Sequence, residues 1–326
     1  MIAHIPWLAK KSLSLEKSRY GKMTTIEDFM VPLPAKVASF RSSNENASLD
    51  KANLLTFGDS FFDFNRQLTL PYRLKAKLDI AVNYSRRRYP LKVLEKENYK
   101  YGKEKILIYE LVERNIPEIF SFPHLVKQNK ESHYIEKIME KLFPQNLEKS
   151  YSFLLESSRL TYNLYSWYAT IRYRWLEYMP NTSKYLENPP WIFYHKTVEN
   201  VPGGFYYNYS EAEIEQYCNN ILRLKNDLKE QYNLRMLFMP IPNKYTIYHR
   251  LLNNDKYNNF LPNLYTNLEK KGVEVIKLYE PFKESRDTLY YGTDTHWNEA
   301  GVSLATEIVI DYLWTCNQAV EKTNSS

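Results

Sequence analysis

The sequence predicts an α/β fold in which a mostly parallel sheet is covered by helices on both faces. Short apolar runs of strand type alternate with segments of helical periodicity, and polar or charged residues follow several of the runs. The predicted strands are at about 53–57, 78–83, 105–111, 235–241 and 273–278. Ligands bind outside the carboxyl ends of the strands in open sheets of this kind, so we expect a functional site at that edge.

The first predicted strand, 53–57, runs directly into Gly58-Asp59-Ser60. Glycine allows a sharp turn where a side chain would clash, and the turn places Ser60 at the carboxyl end of the strand. Residues 61–68 have helical character, so free N–H groups at a helix start would lie near the serine and could stabilise an oxyanion. A nucleophilic serine fits this position. A residue that only caps a turn is the alternative.

A base and an acid stand close together near the end of the chain, in the run Thr293-Asp-Thr-His-Trp-Asn298. A serine hydroxyl needs an imidazole to take its proton, and the imidazole needs a carboxylate to orient it and stabilise its charge. His296 and Asp294 supply these two groups two residues apart. The alternative is a structural loop histidine beside a core tryptophan, Trp297. Asn298 is predicted to cap the helix that follows, whose apolar stripe repeats with helical spacing.

Four segments of the chain resemble the SGNH (GDSL-like) hydrolase superfamily, and more narrowly its alginate O-acetyltransferase-like branch of exopolysaccharide acetyltransferases. They are Gly58-Asp-Ser-Phe-Phe62, Ile108-Tyr-Glu-Leu-Val-Glu-Arg114, Pro240-Ile-Pro-Asn-Lys-Tyr245 and Asp294-Thr-His-Trp-Asn-Glu-Ala-Gly301. The resemblance implies a three-layer α/β/α SGNH-hydrolase-like fold. It also implies that Ser60 is the nucleophile of a triad with His296 and Asp294, and that the enzyme transfers acetyl groups to a polysaccharide acceptor. An SGNH esterase and a non-catalytic glycan-binding subunit remain the alternatives.

The residues that would complete the site are less well marked. Members of the superfamily usually offer a glycine and an asparagine to the oxyanion, but no glycine lies between Gly58 and Gly102. The Ser60 amide is the first donor expected, and Asn83 and Tyr84 are further candidates by position. The remaining candidates for substrate binding are Asp59, Glu113, Arg114, Lys244 and Trp297. For Glu113 with Arg114 the alternative is a structural ion pair, and for Lys244 it is a solvated loop lysine.

Composition narrows the choice of function. The net charge of +6 is modest for 326 residues and the basic residues are spread along the chain, so no nucleic-acid partner is expected, whereas an anionic polysaccharide would be tolerated. The two cysteines, Cys218 and Cys316, do not form a metal-binding pattern, and no metal or cofactor is expected. Cys218 falls on the apolar stripe of a helix opened by Ser210 with Glu213 three residues on, which predicts a capping box and a buried thiol.

We expect residues 51–326 to form the catalytic domain, preceded by a basic leader at 1–50 and interrupted by a helical, aromatic-rich insertion at about 120–205. Its aromatic rings could stack on sugars or form core, and their spacing favours core. No run is long enough to span a membrane. The resemblance nevertheless implies an extracytoplasmic enzyme in the periplasm or at the cell surface, with an N-terminal anchor that precedes this sequence and a membrane-bound O-acyltransferase that delivers the acetyl donor. A cytoplasmic enzyme is the alternative.

Overall fold

The computed structural model describes residues 46–62, 69–85, 88–100, 102–121, 182–186, 191–252, 256–292 and 295–324, with side chains for all of these except 182–186 and 316–324. The described residues fall into two compact units. The smaller unit contains residues 182–186, 191–195 and 292, and the larger contains all the others. The predicted leader at 1–50 lies almost entirely outside the described residues, as does most of the predicted insertion.

The larger unit is built on a parallel five-stranded sheet, as the sequence predicts. Its strands are β1 (Leu54–Phe57), β2 (Val82–Ser85), β3 (Lys105–Val112), β6 (Leu234–Ile241) and β7 (Glu274–Val275). Their order in the sheet is β2-β1-β3-β6-β7, and every neighbouring pair is parallel. The chain therefore moves from β1 to β2 on one side and returns to β3 on the other. A change of direction of this kind opens a crevice outside the carboxyl ends of the two strands on either side of it, here β1 and β3.

Helices surround the sheet. They are α1 (Leu70–Leu78), α2 (Pro90–Lys96), α3 (Ile116–Phe120), α4 (His195–Val198), α5 (Glu211–Tyr232), α6 (Lys244–Tyr248), α7 (Phe260–Lys270), α8 (Tyr279–Glu284) and α9 (Glu299–Asn324). All four residues of β1 are buried, as are the last six of β3. Successive side chains of a strand point to opposite faces, so both faces of the sheet are covered and the α/β/α layering is confirmed.

The two longest helices begin where the sequence predicts. Ser210 accepts from the N–H of Glu213, and the Glu213 carboxylate accepts from the N–H of Ser210, so the predicted capping box opens α5. Cys218 is fully buried on that helix, as expected. Asn298 precedes α9, and its side-chain oxygen accepts from the N–H of Gly301 at 3.1 Å, which confirms the predicted cap.

Two predicted boundaries are wrong. The run at 78–83 is split, because Leu78 ends α1 and Asp79 turns the chain with a left-handed φ of 50° before β2 begins at Val82. The last predicted strand, 273–278, pairs only at Glu274–Val275. After Ser60 the chain forms a short 3-10 helix, Ser60–Phe62, while residues 63–68 lie outside the described residues.

The smaller unit contains an antiparallel pair of strands, β4 (Thr182–Leu186) and β5 (Trp191–Tyr194). The N–H of Ile192 donates to the carbonyl of Gly292 at 2.9 Å. Trp191, Phe193 and Tyr194 are all buried, so these aromatic residues of the predicted insertion form core. The aromatic residues that the predicted insertion carries between 162 and 178 lie outside the described residues; they are Tyr162, Tyr165, Trp167, Tyr168, Tyr173, Trp175 and Tyr178. Among the helices that the structure describes, none is long and apolar enough to cross a bilayer.

Candidate active site

Ser60 lies at the crevice that the strand order creates, because β1 ends at Phe57 and the 3-10 helix begins at Ser60. Gly58 makes this turn possible. A Cβ atom at position 58 would lie 2.3 Å from Oε2 of Glu110 and 2.6 Å from the Glu110 carbonyl oxygen, so only glycine lets β1 and β3 approach so closely here. Ser60 is half-buried, and as the first residue of its helix it has an N–H outside the helix's own hydrogen bonds.

His296 is held by a short antiparallel pairing just before α9. Tyr290 and Trp297 form a β-bridge, the N–H of Tyr291 donates to the carbonyl of His296, and the N–H of Asn298 donates to that of Leu289. The hydroxyl of Tyr290 donates to the carbonyl of Pro242 at 2.6 Å, just after β6. The segment that carries the histidine is thus fixed to the carboxyl edge of the sheet.

The serine and the histidine meet. Nε2 of His296 lies 2.6 Å from Oγ of Ser60, although the two residues are 236 positions apart in the sequence. His296 is only 7% exposed, and its ring packs against Phe61 with 4.7 Å between the ring centroids. A short contact between a hydroxyl and an imidazole in a half-closed site is the geometry of an activated nucleophile. Asp294, the predicted third member, lies outside the described residues.

Asp59 points away from the reacting pair. Its Oδ1 accepts from Nε of Arg88 at 2.5 Å, and its Oδ2 accepts from the side-chain amide of Asn115 at 2.7 Å and from the N–H of Val112 at 3.2 Å. These three donors come from β3, from the residues just after it and from the segment that follows β2. Asp59, a predicted substrate-binding residue, is therefore buried among internal partners and fixes the turn.

Asn83 and Tyr84 bind a different part of the chain from the one expected. The side-chain amide of Asn83 donates to the carbonyl of Ala47 at 2.5 Å. The N–H of Tyr84 donates to the side-chain oxygen of Asn46 at 2.7 Å, and the side-chain amide of Asn46 donates to the Tyr84 carbonyl at 2.9 Å. These contacts fasten the residues before β1 along the outer edge of β2. The sequence predicts a strand that ends at 83, which would bring both residues to its carboxyl end, whereas β2 continues to Ser85.

Glu113 follows β3 and binds neighbouring elements. Its Oε2 accepts from the N–H of Asn243 at 2.8 Å and the hydroxyl of Thr246 at 2.7 Å, and its Oε1 accepts from the hydroxyl of Tyr257 at 2.6 Å. Burial raises the pKa of this carboxyl to about 7, although the three hydrogen bonds and the charge of Arg114 oppose the shift. Glu113 thus joins the end of β3 to the start of α6.

The other predicted residues also lie at this edge of the sheet. Lys244 begins α6 and is only 4% exposed, so the alternative of a solvated loop lysine is wrong. Arg114 is half-buried, and its backbone packs against Gly203, where an added Cβ would lie 2.5 Å from the Arg114 carbonyl oxygen. Trp297 is buried against Phe61 and Phe282. It therefore packs beneath the segment that carries Ser60 and His296 and does not present a surface to which a substrate could bind.

Sequence reasoning missed three residues that hold the serine turn, namely Arg88, Glu110 and Asn115. The sequence contains one signal for Glu110, which is the only acidic residue in the predicted strand at 105–111. The strand register pairs Phe57 with Tyr109, and this places Glu110 beside Gly58. Burial, and then the nearby charge of Asp59, raise the pKa of the Glu110 carboxyl well above its usual range. In the part of the chain that the structure describes, no three histidine, cysteine or acidic side chains come together as a metal site would require.

A parallel α/β sheet with a hydrogen-bonded serine and histidine at its carboxyl edge is an arrangement shared by hydrolases and acyltransferases that use a serine. Within that class, residues 187–323 match the family model described as SGNH hydrolase-like domain, acetyltransferase AlgX. Over this part of the chain, the match confirms the resemblance to the alginate O-acetyltransferase-like branch of the SGNH superfamily that the sequence shows. The matched region includes His296 but not Ser60. Comparison with curated proteins and with solved structures gave no match.

Proposed function

We propose that this protein is an O-acetyltransferase that works through Ser60, His296 and Asp294. The observation that carries the proposal is the 2.6 Å contact between Oγ of Ser60 and Nε2 of His296 at the carboxyl edge of the sheet. The match to an acetyltransferase family supports the same reaction class. The contact joins the Gly58-Asp59-Ser60 turn near the start of the chain to the run at 293–298 near its end.

In the first step, His296 takes the Ser60 proton as the hydroxyl oxygen attacks the acetyl carbonyl of the donor. Asp294 orients the imidazole and stabilises its charged form. The tetrahedral oxyanion is stabilised by the N–H of Ser60, which lies outside the hydrogen bonds of the 3-10 helix. When the carbonyl re-forms, the donor's leaving group departs with the proton from His296 and an acetyl-serine remains.

In the second step, His296 deprotonates a sugar hydroxyl, which attacks the acetyl-serine and releases Ser60 with its proton restored. The acceptor we propose is a polysaccharide of the cell surface or envelope. The enzyme would then act outside the cytoplasm, held by an N-terminal anchor, and would receive its acetyl donor from a membrane-bound O-acyltransferase. The family match and a net charge of +6, which suits an anionic chain, support this acceptor.

Hydrolysis is the second candidate, because Ser60 is half-buried rather than enclosed and water can compete for the acetyl-serine. The two outcomes share every step up to the intermediate. They differ in whether a bound sugar hydroxyl is held close enough to react before water does, since positioning can contribute several kcal/mol.

The test is turnover of an acetyl ester with and without a panel of neutral and uronic-acid oligosaccharides. Acetylated oligosaccharide and free acetate are measured by mass spectrometry. A transferase diverts acetyl from water to at least one oligosaccharide, and Ser60→Ala abolishes both products. Ser303→Ala, which changes a serine on α9 that accepts from Arg73, is the matched control and keeps both. Hydrolysis alone across the whole panel would favour the esterase.

A further inference from the structure

Glu110 lies at the centre of the sheet, directly beneath the turn that carries Ser60. The side chain is fully buried, and its Oε2 accepts from the N–H of Asp59 at 2.7 Å. The same oxygen would lie 2.3 Å from a Cβ at position 58. The carboxyl group therefore contacts the two residues immediately before the serine.

The turn is held from both sides. The backbone of Asp59 binds Glu110, and the Asp59 carboxylate binds Arg88, the Val112 N–H and Asn115. Residue 59 thus has its main chain and its side chain fixed at once, by four groups from β3, the residues just after it and the segment that follows β2. Because Ser60 follows directly, the direction of its Cα–Cβ bond depends on these contacts.

The positive charge of Arg88 interacts differently with the carboxyl groups of Asp59 and Glu110. Arg88 donates to Asp59 and not to Glu110, and the Oε1 atom of Glu110 is buried with no hydrogen-bond partner among the described residues. A buried, ionised oxygen with no partner is costly, whereas a neutral carboxyl with its proton on Oε1 leaves Oε2 free to accept from Asp59. The raised pKa of Glu110 agrees with this arrangement.

We propose that Glu110 is a positioning residue for the nucleophile, and that its neutral carboxyl holds the Asp59 N–H so that the Ser60 hydroxyl stays in line with His296. This inference rests on the proposed function of Ser60. It assigns to Glu110 no contact with substrate. What it predicts is a loss in the rate of the chemical step, with substrate binding left unchanged.

The test measures how fast Ser60 reacts with a fluorophosphonate, a reagent that labels activated serines without needing a sugar or a natural acetyl donor. The maximal labelling rate and the half-saturating reagent concentration are determined separately. Glu110→Leu keeps the volume but removes the acceptor. We expect its maximal rate to fall about a hundredfold, as a displacement of about 1 Å at the reacting atoms can cause, with the half-saturating concentration unchanged.

Two further variants separate positioning from loss of stability. Glu110→Gln keeps an oxygen that accepts from Asp59 and is always neutral, so it should label within a factor of about five of the wild-type rate. Asn220→Ala, on α5, removes a buried hydrogen bond to the carbonyl of Phe120 at the end of α3. It should lower the melting temperature without slowing the labelling of Ser60. If Glu110→Leu does not fold, Gly58→Ala disturbs the same contact from the other side and should be slow for the same reason.

The possible results lead to different conclusions. Wild-type rates in a folded Glu110→Leu, or in a folded Gly58→Ala when the leucine variant does not fold, would overturn the positioning role and leave the proposed function intact. A loss in Glu110→Gln as large as in Glu110→Leu would also overturn it, because a neutral acceptor would then be insufficient. Labelling that persists in Ser60→Ala, or no labelling of the wild type, would overturn the proposed function and this inference together.

Discussion

The ring of Trp297 meets the ring of Phe61 edge-on, with 5.1 Å between the ring centroids. Each of these residues immediately follows one member of the reacting pair, Phe61 after Ser60 and Trp297 after His296. Phe61 also packs against the imidazole itself. The two distant segments of the chain are therefore joined by an aromatic contact as well as by the hydrogen bond, and aromatic pairs of this kind contribute about 1 kcal/mol beyond the area they bury.

We predict that Phe61→Leu slows acyl transfer more than its effect on stability would suggest. Leucine fills much of the space, so the free energy of unfolding should fall by about 1–2 kcal/mol, but the imidazole loses the flat surface that holds it. The rate with an acetyl ester should fall about tenfold. Phe260→Leu is the matched control, because Phe260 is also buried, on α7. Equal activity in the two variants at equal stability would contradict the prediction.

Gly301 gives a second prediction about the histidine segment. Replacing a helical glycine by alanine usually stabilises a protein by up to about 1 kcal/mol. At position 301, however, the new Cβ would lie 2.2 Å from the carbonyl oxygen of Leu289, which pairs with Asn298 beside the histidine. Gly301→Ala should therefore lower both the melting temperature and the activity.

The control for that prediction is Gly102→Ala, where the nearest atom to an added Cβ is 3.9 Å away. Thermal unfolding and ester turnover are measured for both variants. Gly102→Ala should behave like the wild type. A Gly301→Ala protein that is as stable and active as Gly102→Ala would show that the start of α9 can move without disturbing His296.

The raised pKa of Glu113 predicts how the stability of the protein depends on pH. This pKa is about 7 in the folded protein, above the ordinary value of 4.5, so the folded state holds this proton more tightly than the unfolded state. The stability that comes from this group is complete below about pH 4.5 and is lost as the pH rises to about 7. The loss corresponds to about 3 kcal/mol.

The variant Glu113→Gln is neutral at every pH and lacks this loss. We therefore expect the unfolding free energy of the wild type, measured relative to that of Glu113→Gln, to fall as the pH rises from 5 to 8. Denaturant unfolding at several pH values measures the difference, and Glu215→Gln, an exposed glutamate on α5, serves as the control. A difference that stays constant would mean that Glu113 titrates in the ordinary range.

The sequence predicts the parallel sheet and both helix caps, because each depends on local periodicity or on residues within one turn. It also predicts the pairing of Ser60 with His296, since the family's motifs identify both residues. The role of Glu110 could not be predicted in this way. That role depends on the register of β1 against β3, which brings Glu110 next to Gly58 and appears only when the strands pair.

Some predicted residues have other partners for a similar reason. The sequence predicts that Asn83 ends a strand, but β2 extends two residues further and the Asn83 side-chain amide donates to the Ala47 carbonyl. For Glu113 and Arg114, the sequence predicts either a charged pair that shapes the cleft or a structural ion pair. In the fold, the Glu113 carboxyl is taken up by donors from α6 and from Tyr257, which lie more than a hundred positions away. Sequence proximity alone cannot reveal partners at that distance.

The last prediction concerns whether Ser60 and His296 act as one unit. Each single alanine variant should lower the rate with an acetyl ester by about a thousandfold or more, because removing either residue disables the same proton transfer. The double variant Ser60→Ala with His296→Ala should then be little slower than either single one. As a control, Asn220→Ala combined with Ser60→Ala should show separate effects on stability and rate, since the Asn220 amide donates to the Phe120 carbonyl and not to the reacting pair. If the losses at Ser60 and His296 multiply instead, the two residues have independent roles, and the 2.6 Å contact between them does not represent a catalytic pair.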